Sequence, residues 1–452
     1  MAEDADRNVS LAIGGIAIID GSAPDYERFK RILAERIKAI PRCMQMLRTQ
    51  PFDIGAPQWV DDPSFDLSRH VRRVAVPRPG SDAELFQVVA DVLERRLDRD
   101  RPLWECWVIE GLKGNRWAIL MKIHHCMADG VAAARILTRL CDEIDGDAFA
   151  RPGVAHRAAT HPHLTPVPDP NPHSNPVSNL WRTATGITNT VSRTVSGAAE
   201  IAGGLLRPTA GSSLVGPVTA MRRYRAVRVP LADVEQICRK FDVTVNDVAL
   251  AAITEGYRSV LLHRGERPRP DSLRTLVPVS VRSHDSLDES GNRLSIMLPY
   301  LPVEQDDPIL QLRTVHSRLT RTKQGGQRQA GNIAVSATGY VPFMFSSWMI
   351  RFLTRLPQRG IVTLATNVRG PQRRLTMMGH NVARVLPIPP IALQLRTGIA
   401  VMSYCDDLVF GITADYDGGA DIDELADGIK IGVARLDMLS QDSILLFDRK
   451  SV

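Results

Sequence analysis

Apolar residues run almost unbroken over 9–19 and again over 117–123, the pattern of strands covered on both faces. Between these runs the period lengthens. Phe29, Ile32, Leu33, Ile37 and Ile40 recur every three or four residues and predict a helix over 26–46. Further helices are predicted over 83–97 and 131–144, with a strand over 107–112 between them. The later part repeats the theme. Strands are predicted over 224–229, 273–281, 294–303, 361–366, 382–386, 398–404 and 408–414, and helices over 231–241, 248–262, 309–323 and 422–439. Strands alternating with helices place the chain in the α/β class.

One stretch follows neither period. Seven prolines fall between Pro152 and Pro176 among His, Ser, Thr and Asn, which marks a linker. Behind it Leu180, Ala184, Ile187, Val191, Val195, Ala198 and Ala202 form an apolar stripe with Arg182 and Arg193 beside it. That stripe suits an amphipathic helix, either lying on lipid or packed as a crossover on the second unit. At 452 residues the chain exceeds what one core ordinarily organises. The division predicted is therefore 1–150, a linker and crossover helix over 151–222, and 223–452. A second apolar concentration lies over 341–356, where Phe343, Phe345, Trp348, Met349 and Phe352 sit beside Arg351 and Arg355. It fits a lipid contact or a helix buried between units.

Composition narrows the class. A hydrophobic content of 44% with 23% charged residues is that of a globular chain. The net charge of +6 is spread out and not gathered into runs, and 5% aromatics offer no stacking platform, so no nucleic-acid partner is expected. A mild positive balance still suits the phosphates of a small substrate or an anionic lipid face. The six cysteines (Cys43, Cys106, Cys126, Cys141, Cys238 and Cys405) lack disulfide or ligand spacing, as expected in a reducing cytoplasm. Cys126 is read as a packing residue. No basic lead precedes the first apolar run, so no signal peptide is predicted, and no window is apolar enough for a spanning helix.

The chemistry concentrates at Lys122-Ile123-His124-His125-Cys126-Met127-Ala128-Asp129-Gly130, where a predicted strand gives way to a predicted helix. Imidazole titrates near working pH, so a neutral His here can take the proton of an attacking hydroxyl. If the strand persists through His125, the two rings point to opposite faces and only one meets a given cavity. Asp129 either pairs with an arginine from elsewhere or caps the helix, and Gly130 allows the turn. The pair with Asp129 also resembles part of a metal site, but no Cys-x-x-Cys or second His cluster completes one, and no metal is expected.

Further along, Thr244-Val245-Asn246-Asp247 reads as a capping box at the start of a long helix. Five more stretches bear on a resemblance: Asp61-Asp62-Pro63-Ser64-Phe65-Asp66-Leu67-Ser68-Arg69-His70-Val71, Arg101-Pro102-Leu103-Trp104-Glu105, Val277-Pro278-Val279-Ser280-Val281-Arg282, Gly291-Asn292 and Thr366-Asn367-Val368-Arg369-Gly370-Pro371. His-His-x-x-x-Asp-Gly with these stretches in this order resembles the bacterial wax ester synthase/diacylglycerol acyltransferase family. That family lies within the coenzyme A-dependent acyltransferase superfamily, with chloramphenicol acetyltransferase and the condensation domains of peptide synthetases. Arg369 stands where the family usually has proline.

The resemblance implies two chloramphenicol acetyltransferase-like α/β domains in pseudo-symmetric arrangement, joined by a long linker and facing each other across a tunnel. It implies transfer of a long-chain acyl group from acyl-CoA, as co-substrate and without a cofactor, to diacylglycerol or a fatty alcohol. His125 would be the general base, with His124 in support, Asp129 structural, and Gly130 in the turn. Pro102, Leu103, Trp104, Asn246 and Asp247 would shape the substrate tunnel. A cytoplasmic protein attached peripherally to the inner membrane or to lipid droplets is expected, since its acceptors barely dissolve in water. The alternatives are a condensation-type or polyketide-associated acyltransferase, or a catalytically silent lipid-surface protein.

Overall fold

The computed structural model describes residues 8, 10–48, 57–142, 148–149, 213–280, 294–324, 361–391 and 395–441. The linker, the stripe over 180–202 and the cluster over 341–356 lie outside the described residues, so those expectations are not addressed by the fold.

The first sheet is built around β1 (Ala12–Asp20) and β6 (Arg116–His124), paired antiparallel from Ala12↔His124 to Asp20↔Arg116. β5 (Trp104–Leu112) continues it antiparallel, and β4 (Val71–Ala75) closes that edge in parallel. Beyond β1 lie two strands from far along the chain, β12 (His380–Ile388) and the short β11 (Thr376–Met377), giving the order β11-β12-β1-β6-β5-β4. The second sheet runs β7-β14-β13-β10-β8-β9, from β7 (Arg222–Pro230), β8 (Thr275–Ser280), β9 (Leu294–Met297), β10 (Thr363–Val368), β13 (Thr397–Tyr404) and β14 (Asp407–Asp415). Sheet membership thus crosses residue 223: strands of the later stretch complete the first sheet. The hairpin of β2 (Gln45–Arg48) and β3 (Gln58–Asp61) stands apart.

β6 shows why its sequence reads as continuous apolar. Trp117, Ile119, Met121 and Ile123 enter one core with Phe29, Leu33 and Ile37 of α1 (Tyr26–Lys38) and Ile136 and Leu137 of α3 (Gly130–Arg139). Ala118 and Leu120 face the other way, into a cluster with Leu85, Phe86 and Val89 of α2 (Asp82–Glu94). That second cluster also contains Tyr224 of β7 and Val409 of β14, so it forms the seam between the two sheets. The buried Tyr224 hydroxyl donates to Pro387 O at 2.9 Å, and its ring meets Phe86 edge-on at 5.5 Å. Gly411 is required here, because a Cβ would sit 1.8 Å from Pro387 O. The remaining core gathers α4 (Leu231–Phe241), α5 (Val245–His263), α6 (Pro308–Gln324) and α7 (Ile422–Gln441) onto the second sheet.

Several expectations need correction: the helix predicted over 83–97 ends at Glu94, and that predicted over 131–144 ends at Arg139 with Leu140 as its cap. The helix predicted over 26–46 ends at Lys38, because Pro41 cannot continue it; a 3-10 turn (Pro41–Met44) and β2 follow. The strand predicted over 294–303 is only Leu294–Met297, with prolines at 299 and 302 interrupting the ladder.

Candidate active site

β6 ends at His124, not at His125. Residues 125–127 form a turn held by three backbone bonds: His125 N–H to Leu11 O (2.9 Å), His124 N–H to Leu103 O (2.9 Å) and Met127 N–H to His124 O (2.9 Å). The alternation argument therefore does not apply, since the turn separates the two rings. His124 is 6% exposed, and its Nδ1 accepts the Cys126 backbone N–H at 3.1 Å with Cys126 Sγ 2.9 Å away. A ring nitrogen that accepts a backbone N–H carries no proton, so Nδ1 of His124 is committed to shaping the turn. His125 is half-buried within that turn. Cys126 is not the packing residue expected: it is exposed, because the turn carries it out of the pleat that buries β6.

Asp129 has the extended backbone of an N-cap, and its side chain accepts Ala132 N–H at 2.8 Å, which starts α3 immediately behind the turn. Gly130 serves space rather than turn geometry. It is the first residue of α3, without positive φ, and a Cβ there would lie 3.0 Å from Val368 Cγ2 of β10. The start of α3 thus abuts the second sheet, and the Asn367-Val368 stretch reaches the signature. Next to Val368, Asn367 approaches Asn246 Oδ1 with its Nδ2 at 3.4 Å, which adds the start of α5 to the same neighbourhood.

Asp247 goes elsewhere. It is 2% exposed, and its Oδ2 accepts Thr244 N–H (2.9 Å), Thr244 Oγ1–H (2.8 Å) and His316 Nδ1–H of α6 (2.9 Å). The capping-box reading holds, with an added tie to α6 that no sequence signal announced; His316 is a single histidine on a basic helix.

Leu103 and Trp104 are each 1% exposed, so they act from behind the signature. Leu103 O receives His124 N–H, while Trp104 donates its indole N–H to Cys43 O at 2.7 Å. Trp104 also stacks on His70 at 4.6 Å, and His70 Nδ1–H donates to Trp104 O at 2.8 Å. Burial holds the His70 pKa below its ordinary value, which leaves a neutral ring in the stack. Pro102 is buried at the start of the same segment. Arg42, from the turn after α1, was not singled out by sequence. It stacks over Trp59 at 4.3 Å and lies within electrostatic reach of Cys126, with burial lowering its pKa.

Beneath the signature, Lys122 is fully buried on the α2 face, with Nζ donating to Val92 O at 2.7 Å and to Arg95 O. It supplies a cation to the carbonyl end of α2. Burial pushes its pKa down to about 8. Among the described residues no group of three or more His, Cys, Asp and Glu is arranged to hold a metal, and no helix is long and apolar enough to cross a membrane.

With this geometry in hand, comparison with known proteins is direct. The wax ester synthase/diacylglycerol acyltransferase catalytic domain matches residues 2–249, and the C-terminal domain of the same family matches residues 290–436. The chain is 56% identical over 440 residues to the probable diacylglycerol O-acyltransferase tgs1 of Mycobacterium tuberculosis, covering 97% of this chain and 94% of that one. Among solved structures, the wax ester synthase/diacylglycerol acyltransferase of Marinobacter aquaeolei VT8 aligns with a TM-score of 0.66 at 23% identity, covering 96% of each chain. The first condensation domain of the CDA synthetase aligns with a TM-score of 0.57 at 16% identity, covering 98% of this chain and 93% of that one. At these identities the structural likenesses speak to the fold, and they bear out the paired α/β architecture expected from the sequence. Two domain matches that together take in most of the chain, and a majority-identical relative aligned nearly end to end, place this chain in the wax ester synthase/diacylglycerol acyltransferase family.

Proposed function

We propose that this protein transfers a long-chain acyl group from acyl-CoA to the free hydroxyl of diacylglycerol, forming triacylglycerol, with long-chain alcohols as second acceptors. The observation that carries the reading is the division of labour in the signature turn. Nδ1 of His124 is occupied by the Cys126 N–H, while His125 sits half-buried one residue on, between β6 and α3. His125 takes the acceptor's hydroxyl proton as the oxygen attacks the thioester carbonyl. The C–S bond then breaks, and the proton passes to the departing thiolate, so the imidazole returns to its neutral form. General-base help of this kind contributes about 10²–10⁴-fold, and holding both substrates together supplies a further large factor.

In this reading Asp129 and Gly130 position the turn against β10, Leu103 and Trp104 back it, and Asn246 borders it from α5. Asp247 holds α5 to α6. The protein works at a lipid surface, attached peripherally, because its acceptors reside there. Purified protein given radiolabelled palmitoyl-CoA and dioleoylglycerol should yield labelled triacylglycerol on thin-layer plates. Free palmitate as the sole labelled product would refute the transfer.

A further inference from the structure

A cavity of about 360 Å³ opens beside the Pro102-Leu103-Trp104 segment. Pro102, Trp104 and His70 line it together with Arg69, Arg72 and Arg101 and the carboxylates of Asp98 and Glu105. Three guanidinium groups against two carboxylates leave the lining positive, even with the buried His70 ring neutral. The surroundings add to this. Residues 95–101 carry Arg95, Arg96, Arg99 and Arg101, and the buried Lys122 ammonium holds the start of that run through Arg95 O.

The carboxylates do not close the site. Arg72 lies 3.4 Å from Glu105 and Arg69 lies 3.3 Å from Asp66, both longer than a good charge-assisted bond, with Arg side chains 48% and 56% exposed. Only Arg101 is closely paired, at 2.9 Å to Asp98, itself 54% exposed. Exposed pairs of this kind are weak and exchange readily for a better anion. A phosphate offers a guanidinium a close bidentate partner, which the carboxylates at these distances do not. Trp104 and His70, stacked and buried, give the arginines a rigid backing.

We propose that this cavity binds clustered phosphates, and specifically the nucleotide end of the thioester donor, next to the segment that supports His124. The inference rests on the donor being acyl-CoA, as in the reading above. The Pro-Leu-Trp segment then ties the two together: Leu103 O receives His124 N–H while Pro102 and Trp104 line the cavity.

The test is direct binding. Adenosine 3′,5′-bisphosphate, which carries two of the three phosphates of coenzyme A, is titrated calorimetrically into the full-length protein, into Arg72→Gln/Arg101→Gln, and into Arg73→Gln. Arg73 lies on the same strand but is spent on Glu110, at 2.7 and 2.8 Å, and does not line the cavity. Saturable binding is expected for the wild type and the Arg73 variant, weakened about tenfold or more in the double variant and by added salt. Inorganic phosphate should bind far more weakly than the nucleotide. In transfer assays, the preference in kcat/KM for palmitoyl-CoA over palmitoyl-pantetheine should shrink by a similar factor in the double variant. No saturable binding by the wild type, undiminished binding by a double variant with wild-type melting, or phosphate binding as tightly as nucleotide would each overturn the assignment. Failure of transfer from either donor would refute the proposed function, and the titration would still decide what the cavity holds.

Discussion

One peptide bond separates His124 from His125, and their surroundings differ completely. His124 is closed into the strand end, its Nδ1 engaged by Cys126, while His125 begins the turn. Asp129 behind them acts through its cap on Ala132. Asp129→Ala should therefore cost about 1 kcal/mol in denaturant unfolding, while Asp129→Asn, which still caps, should cost only a few tenths. Equal losses for the two would point to a role that needs the negative charge. Much of this site was legible in the sequence. The paired histidines, the capping aspartate and the buried strand ahead of them are local patterns. The turn that breaks alternation at His125 was not, because whether a strand runs one residue further depends on partners such as Leu11 and Leu103, distant in sequence.

At the level of elements, the link between β6 and α2 is Lys122. Its folded pKa, about 8, lies below that of an unfolded lysine, so the unfolded chain binds more protons between the two values. The stability of the folded state therefore rises with pH through that window, as the ammonium that burial penalises loses its proton. Lys122→Met lacks this contribution. The stability of wild type relative to Lys122→Met should grow by about 1 kcal/mol between pH 7.5 and 9. A difference that stays flat across that range would show that Lys122 remains ordinarily basic. The capping box read at Thr244 and Asp247 holds at α5, and the structure adds a second reciprocal cap, Ser81 with Glu84, at the start of α2. The β2–β3 hairpin went unseen because four-residue strands carry too few positions to establish a period.

For the whole molecule, the decisive feature is the return of β12 to pair with β1 from Gly14↔Ile388 to Ile19↔Val382. No local pattern in 380–388 tells which sheet it joins; only tertiary pairing decides that. Because the first sheet needs this late strand, a fragment of residues 1–222 should fail to fold alone. Unfolding of the full chain should give coincident transitions by tryptophan fluorescence and circular dichroism. The seam joining the sheets should be sensitive as well. Tyr224→Phe removes the bond to Pro387 O and should cost about 1–3 kcal/mol, since that buried carbonyl loses its donor. A soluble, cooperatively folding 1–222 fragment would contradict the shared-sheet account.

The central claim is that His125 carries the proton in acyl transfer while its neighbour shapes the turn. The most direct measurement is the single-turnover rate of labelled triacylglycerol formation from palmitoyl-CoA and dioleoylglycerol by His125→Ala, with circular dichroism and melting matched to wild type. A loss of about 10²-fold or more at unchanged fold is expected, in keeping with removal of a general base. A His125→Ala protein that forms triacylglycerol within a few-fold of the wild-type rate would contradict the account.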